Sequence, residues 1–246
     1  MRRPHLPLLL SVLIPVYNEH ALLRAVVGRV LTAQLPAGVT VEIVLVDDAS
    51  TDGSGELCDK LAQEHPAEVT VFHQERNMGK GAALRRAIAG MRGGAAVFQD
   101  ADLEYDPEDF ALMLEPLLAG AADVVYGTRF TKYAPPSMSR KSYLANRFLT
   151  WLSNRCTGLK LSDMETCYKM FRAEVLRGLP LRADRFNIEP EITALVARHR
   201  CVVTEVPVSY HARDKKGGKK IGWRDGLSAV RTILRHAVFK PGRPAG

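Results

Sequence analysis

Apolar runs of strand length recur through the first half of the chain, at 12–16, 41–46, 69–73, 95–99 and 124–126, and stretches of helical periodicity separate them. The pattern predicts helices near 19–33, 54–64, 80–91 and 107–119, joined to the strands by short polar loops. Continuous Val, Ile and Leu strands alternating with amphipathic helices indicate a mainly parallel sheet covered on both faces. Such sheets bind ligands beyond the carboxyl ends of their strands, so polar motifs just after strands are the first place to look for chemistry. Four motifs stand there: Tyr17-Asn18-Glu19, Asp47-Asp48-Ala49-Ser50-Thr51-Asp52-Gly53, Asn77-Met78-Gly79-Lys80-Gly81 and Asp100-Ala101-Asp102.

From Arg129 onward the alternation breaks up. A Pro-containing loop (133–139), a basic helical stretch (142–156), helices near 173–178 and 189–199 and a last strand (202–209) lead into a Lys/Gly-rich loop. No linker long enough to separate a pair of independent units is visible, and there is no internal repeat. The expectation is one α/β domain over 1–240, with an elaborated second half that begins at 129.

Composition narrows the class. With 46% hydrophobic, 25% charged and 7% aromatic residues in 246, the chain reads as globular rather than disordered or collagenous. No uncharged apolar window approaches the ~18 residues that a membrane-spanning helix needs. Arg2-Arg3 followed by Leu8 to Ile14 resembles a signal peptide only superficially. Pro4 and Pro7 interrupt it, and no small-residue cleavage site follows, so a buried first strand is expected instead. Cys58, Cys156, Cys167 and Cys201 have no zinc-like or C-x-x-C spacing, which points to reduced core residues and a reducing, cytoplasmic compartment.

Charge is distributed unevenly. The net charge is +7, but residues 1–128 hold 10 basic and 18 acidic residues, net −8, while 129–246 hold 24 basic and 9 acidic, net +15. The first half suits a cation and the second suits anions.

Asp100 and Asp102 leave a strand end where period-two geometry puts both carboxylates on one side, with Glu104 near enough to join them. Hard oxygen donors in that number suit Mg²⁺ or Mn²⁺ sharing its shell with substrate phosphates. An acidic turn after a strand is also a common structural feature, and Asp106-Pro107-Glu108-Asp109 is explained as a helix start, with Asp106 as N-cap. Asp48 can accept hydrogen bonds from a base or ribose, while Ser50 to Gly53 can equally cap the following helix. In Asn77 to Gly81 the glycines permit close backbone approach and Lys80 can meet phosphate charge. The spacing is not that of a P-loop. No G-x-G-x-x-G fingerprint follows the first strand either, which argues against a dinucleotide dehydrogenase.

Taken in order, Pro15-Val16-Tyr17-Asn18-Glu19, Val46 to Gly53, Asn77-x-Gly79-Lys80-Gly81 and Asp100-Ala101-Asp102-Leu103-Glu104 closely resemble glycosyltransferase family 2, whose fold is the Rossmann-like GT-A sheet. The resemblance extends over roughly 11–235 through Gly127-Thr128-Arg129-Phe130, Arg140-Lys141, Asp163 to Lys169, Phe186-x-x-Glu189-x-Glu191-Ile192, Arg213 and Gly218-Lys219-Lys220-Ile221. It is strongest to the members that make polyprenyl- or dolichyl-phosphate mannose or glucose. The resemblance implies that Pro15, Tyr17, Glu19 and Asp48 hold the nucleoside of a GDP- or UDP-sugar. Asp100, Ala101 and Lys80 belong to the same donor site, while Asp100, Asp102 and Glu104 take the Mg²⁺ or Mn²⁺ and the diphosphate. Arg213 and Lys219 assist the diphosphate, and Arg129 and Arg140 receive the acceptor phosphate. Two departures stand out: Glu104 occupies a position that is often Gln in the mannosyltransferases, and the Arg-x-x-Gly-x-Ser-Lys loop has lost its Ser here.

The implied reaction is inverting transfer from a nucleotide-sugar to a polyprenyl phosphate. Cleaving the sugar to diphosphate bond builds negative charge on the leaving group, and a metal with flanking cations answers it. A lipid phosphate is already an anion and needs only positioning, for which a guanidinium is suited. A hydroxyl acceptor would need a base, with Asp163 or Glu165 as candidates. The helical pattern at Trp223, Leu227, Val230, Leu234 and Val238, and that at 142–156, read either as helices packed on the domain or as basic amphipathic helices at an anionic membrane. Peripheral association with the cytoplasmic face of a membrane, directly or through a membrane-embedded partner, is expected. A nucleotidyltransferase would carry a Gly-rich basic loop after the first strand, which this chain lacks. No zinc, RRM or helix-turn-helix signature supports a noncatalytic module binding nucleic acid.

Overall fold

The computed structural model describes residues 8–130, 138–212 and 223–237. Seven strands, β1 (Leu8–Val16), β2 (Val39–Asp47), β3 (Val69–His73), β4 (Ala95–Phe98), β5 (Val124–Thr128), β6 (Lys169–Arg172) and β7 (Val203–Pro207), form one sheet in the order β3-β2-β1-β4-β6-β5-β7. β6 pairs antiparallel with both of its neighbours, and every other pairing is parallel. The helices are α1 (His20–Thr32), α2 (Ser54–Glu64), α3 (Lys80–Gly90), α4 (Phe110–Leu118), α5 (Arg140–Thr157), α6 (Ala173–Gly178), α7 (Ile188–Arg198) and α8 (Trp223–Ala237). The strands and helices expected from periodicity are all present among the described residues, with ends shifted by a few residues. α4 is preceded by a single 3-10 turn, Pro107–Asp109, where Asp106 accepts from the Glu108 N–H at 3.2 Å and Pro107 occupies the first position.

β6 is absent from the hydrophobic pattern, because a strand bounded by Lys169 and Arg172 does not read as apolar. Lys169 is nevertheless fully buried, and its charge is matched inside the fold by Glu189. The central strands are buried on both faces: Leu10, Val12, Leu13 and Ile14 of β1 pack with Ile43 to Val46 of β2 and Ala96 to Phe98 of β4. At the amino edge of the sheet the buried Glu42 accepts from Ser11 Oγ (2.6 Å), Arg92 Nε (2.6 Å) and the Gly93 N–H (2.9 Å). Burial would raise its pKa, but these donors hold it below the ordinary carboxylate range.

Register sets where the chemistry falls. Val16 pairs with Asp47, Asp47 with His73, Leu13 with Phe98 and Thr128 with Pro207, so the residues that follow β1, β2, β3, β4, β5 and β7 emerge at one edge. β6 runs the other way, which brings the residues that precede it, Asp163 to Tyr168, to that same edge.

Candidate active site

The first two loops of the carboxyl edge are bound to each other. The Asn18 N–H donates to Ser50 Oγ at 3.0 Å, and Asn18 Oδ1 accepts from the Thr51 N–H at 2.8 Å. The Glu19 and His20 N–H groups at the start of α1 donate to Ser54 Oγ (2.9 Å) and Asp52 Oδ2 (3.1 Å). The expected Ser or Thr cap on α2 is not formed: Gly53 is its N-cap, Ser50 and Thr51 bond Asn18, and Asp52 accepts from the His20 N–H of α1 as well as from the Ser54 N–H. Asn18 and Ala49 take left-handed backbone (φ 55° and 57°), which the reciprocal bonds hold in place. Pro15, Tyr17 and Glu19 are partly exposed beside this pair of loops.

Asp48 is buried, and its carboxylate accepts from Gln74 Nε2 (2.7 Å) and from the Met78 (2.7 Å) and Gly79 (2.8 Å) N–H groups. It thus fixes the glycine loop. The glycines of that loop make room for the chain itself: the Ala82 N–H donates to the Asp184 carbonyl at 3.1 Å, and a Cβ at Gly79 would lie 2.5 Å from the same oxygen. The Met78 and Gly79 amides are engaged by Asp48 and the Ala82 amide by the Asp184 carbonyl, so the close approach that these glycines permit is used by the backbone at 183–184. Lys80 is likewise drawn inward, 2.8 Å from Asp100 Oδ1 and 3.1 Å from Glu189 Oε1. Burial alone would lower its pKa, but Asp100 and Glu189 hold it well above the ordinary lysine range, so it stays charged. Lys169 completes the arrangement on Glu189 Oε2 at 2.5 Å.

The acidic turn follows β4. Asp100, Asp102 and Glu104 are all partly exposed and Ala101 is buried. Asp102 Oδ1 accepts from the Glu104 N–H at 3.1 Å, which curls the turn on itself. The oxygen-only donor set fits Mg²⁺ or Mn²⁺. Among the described residues, however, no group of three or more His, Cys, Asp or Glu side chains is gathered to hold an ion unaided. An ion here would complete its shell from a substrate diphosphate, the usual arrangement for such cations.

Across the edge, Arg129 makes a two-pronged pair with the fully buried Asp163, Nε at 2.7 Å and Nη2 at 2.8 Å. Its guanidinium lies 5.1 Å from the centre of the Tyr210 ring. Arg129 is nearly buried, with 9% of its side chain exposed, and Asp163, both of whose oxygens it engages, is withdrawn from the role of base. Glu165 differs: its Oε1 is buried with no hydrogen-bond partner among the described residues. Burial first, and then the charge of Glu189, push its carboxyl up to about 7 against the pull of Lys169 and Arg129. Tyr105 stacks on Tyr168 (4.5 Å between centroids), and its hydroxyl accepts from the Cys167 N–H at 3.1 Å.

Arg140 is exposed at the first residue of α5. Arg213, Lys219 and Lys220 lie outside the described residues. Residues 11–179 match the model of glycosyl transferase family 2. The chain belongs to that family. This family 2 glycosyltransferase is 31% identical over 239 residues to the polyprenol monophosphomannose synthase of Mycolicibacterium smegmatis, covering 93% of the chain and 84% of the relative. It is 32% identical over 212 residues to the undecaprenyl-phosphate 4-deoxy-4-formamido-L-arabinose transferase of Edwardsiella ictaluri, covering 86% of the chain and 62% of that longer relative. Its fold matches the glucosyl-3-phosphoglycerate synthase of Mycobacterium tuberculosis in complex with UDP (TM-score 0.69, 21% identity, 96% of this chain and 82% of the other). It also matches the mannosyltransferase PcManGT of Pyrobaculum calidifontis in complex with GDP-Man and Mn²⁺ (TM-score 0.62, 18% identity, 96% and 74%). The GT-A architecture expected from the motif order is the one observed.

The Lys80–Asp100–Glu189–Lys169 cluster was not legible in the sequence. Lys169 and Glu189 stand 20 residues apart on elements whose approach depends on the antiparallel insertion of β6. Tyr210 likewise carries no sequence signal beyond its place after a strand.

Proposed function

We propose that this family 2 glycosyltransferase transfers a sugar, with inversion, from a nucleotide-sugar of the GDP-mannose or UDP-glucose type to a polyprenyl phosphate, with Mg²⁺ or Mn²⁺. The observation that carries the reading is the acidic turn 100–104 on the same carboxyl edge as Tyr17, Glu19 and Asp48, in a family whose relatives act on polyprenyl and undecaprenyl phosphates. Pro15, Tyr17, Glu19 and Asp48 bound the nucleoside side, with 11–128 forming the donor half and 129–240 the acceptor half. Asp100, Ala101, Asp102 and Glu104 face the diphosphate, where a divalent ion supplies positive charge to the leaving group.

Lys80 keeps Asp100 in place from behind. Arg129, anchored by Asp163, and Arg140 attract the acceptor phosphate; Arg213 and Lys219 serve the donor diphosphate. An acceptor phosphate is ionised at neutral pH, so its oxygen attacks the anomeric carbon directly and no base is needed. A single displacement inverts that centre.

The acceptor's lipid nature fits the outer surface. α5 buries Asn146, Thr150 and Ser153 and exposes Leu144 (66%), Phe148 (53%) and Trp151 (57%), the reverse of an ordinary surface helix. Thr150 Oγ1 accepts from the Met164 N–H at 3.1 Å, so the polar face is bound into the domain. α8 packs on α5 and α7 and buries Ala229 and Ile233, while Leu227 and Leu234 face outward. Arg140, Lys141, Arg147, Arg155, Arg231 and Arg235 are exposed on the same two helices, a combination suited to the anionic cytoplasmic face of a membrane. No helix among the described residues is long and apolar enough to cross a bilayer.

The test is transfer by the purified protein with Mg²⁺ or Mn²⁺, offering GDP- and UDP-sugars with and without a short polyprenyl phosphate. Sugar-phosphate-lipid formed only when the lipid phosphate is present is the expected result. Donor turnover with a hydroxyl acceptor and none with the lipid phosphate would overturn it.

A further inference from the structure

Glu104 is held at both of its ends by two consecutive residues beyond β7. The Tyr210 hydroxyl donates to Glu104 Oε2 at 2.9 Å, and the Glu104 carbonyl accepts from the His211 N–H at 2.8 Å. Tyr105 and Tyr210 form an antiparallel bridge, and their rings meet edge to face with centroids 5.2 Å apart. Arg129, itself anchored on Asp163, also packs against the Tyr210 ring, 5.1 Å from its centre. A line of contacts therefore runs from Asp163 through Arg129 and the Tyr210 ring to the Glu104 carboxylate. A carboxylate has no proton to give, so in this hydrogen bond the phenol is the donor and Glu104 the acceptor.

We infer that Tyr210 is a positioning residue for the divalent cation: its hydroxyl orients the Glu104 carboxylate toward the ion held by the acidic turn. The inference rests on the reading of that turn as the cation site. Its chemical logic follows from the carboxylate at position 104. A third acidic side chain within five residues adds repulsion to Asp100 and Asp102, and a flexible Glu left to itself can turn away from the ion. A hydrogen bond to one oxygen takes up some of the charge and fixes the plane of the carboxylate, as the outer partners of metal ligands commonly do. Tyr210 sits just past β7 on the same carboxyl edge as the turn, so the orientation is imposed by the sheet and not by the turn itself.

The test is Mn²⁺ binding to the full chain in the presence of GDP or UDP, read by the loss of the free-ion electron paramagnetic resonance signal and so independent of turnover. Tyr210→Phe keeps the ring against Tyr105 and Arg129 and removes only the hydroxyl. The expected result is an unchanged melting temperature with Mn²⁺ affinity about tenfold weaker, within the range typical of lost outer-shell partners. In a Glu104→Ala background the same change should have no further effect. Unaltered or tighter Mn²⁺ binding by Tyr210→Phe would overturn the role of Tyr210, as would an effect that persists undiminished without Glu104. Wild-type protein that binds no Mn²⁺, with Asp102→Ala indistinguishable from it, would bring down the cation reading itself and this inference with it. That outcome is distinct from wild-type binding that Tyr210→Phe leaves alone.

Discussion

Replacing Gly81 by Ala separates what helix propensity says from what the fold says. Gly81 is the second residue of α3, and Ala in an exposed helix position stabilises by about 1 kcal/mol relative to Gly. In the structure a Cβ at Gly81 would lie 2.9 Å from the Ala183 carbonyl carbon and 3.0 Å from that of Asp184, and closer still to the Ala183 oxygen. Ordinary carbon contacts lie near 3.5–4.0 Å, so the 183–184 segment would have to withdraw by about 1 Å. That segment is not free to do so. Glu191 Oε2 accepts from the Arg182 (3.0 Å) and Ala183 (2.8 Å) N–H groups, the Asp184 carbonyl accepts from the Ala82 N–H (3.1 Å), and the Arg85 guanidinium donates to the Ala183 carbonyl. Overpacking costs about 1–3 kcal/mol, and a clash with hydrogen-bonded backbone falls in the upper part of that range, about 2–3 kcal/mol, so subtracting the propensity gain of about 1 leaves a net loss of about 1–2 kcal/mol. For a chain of this size that corresponds to a melting temperature lower by about 2–8 °C. The control is Gly28→Ala in the exposed middle of α1, where a Cβ meets nothing within 4 Å, and a gain of about 0.5–1 kcal/mol is expected. Both are read by thermal and urea unfolding followed by circular dichroism. A Gly81→Ala protein as stable as wild type, or more stable, would refute the close approach as the reason for that glycine.

Three further outcomes can be checked alongside. Asp102→Ala should lower the transfer rate by about 1,000-fold, the order expected when several kcal/mol of charge stabilisation on the leaving group are lost, with the melting temperature retained; normal turnover would sink the metal assignment. Asp163→Asn leaves the nearly buried Arg129 charge without its carboxylate and should lower stability by about 3 kcal/mol in urea unfolding, whereas a loss below about 1 kcal/mol would show that the pair is screened by solvent. Glu165 carries a folded-state pKa pushed from 4.5 up to about 7, so between these values the folded protein binds more protons than the unfolded one and stability falls as pH rises. Glu165→Gln should flatten that slope by at most about 3 kcal/mol between pH 4.5 and 7, and identical pH profiles for the two proteins would contradict the buried position of Oε1.

The sequence by itself determined the parallel α/β frame, because continuous apolar runs of strand length and helices of period 3.6 are local signals and repeat in order along 12–126. It also determined that polar motifs would meet at one sheet edge, since a parallel strand delivers its following residues to the same side each time. The family followed from four short motifs in fixed order. What the sequence did not determine is which polar atoms those motifs keep for themselves. Asp48, read as a nucleoside ligand, also holds Met78 and Gly79; Gly79 and Gly81, read as allowing close backbone approach, admit the chain's own backbone at 183–184. Those partners come from 30 to about 100 residues away, and no local pattern encodes them. The buried charges Lys80, Lys169, Glu189, Arg129 and Asp163 belong to the same class, since each is tolerable only because another chain segment supplies the opposite charge. β6 carries the lesson furthest. Its two charged ends hide it from any hydrophobic scan, yet its antiparallel insertion between β4 and β5 is what brings Asp163 to Lys169 to the acidic turn.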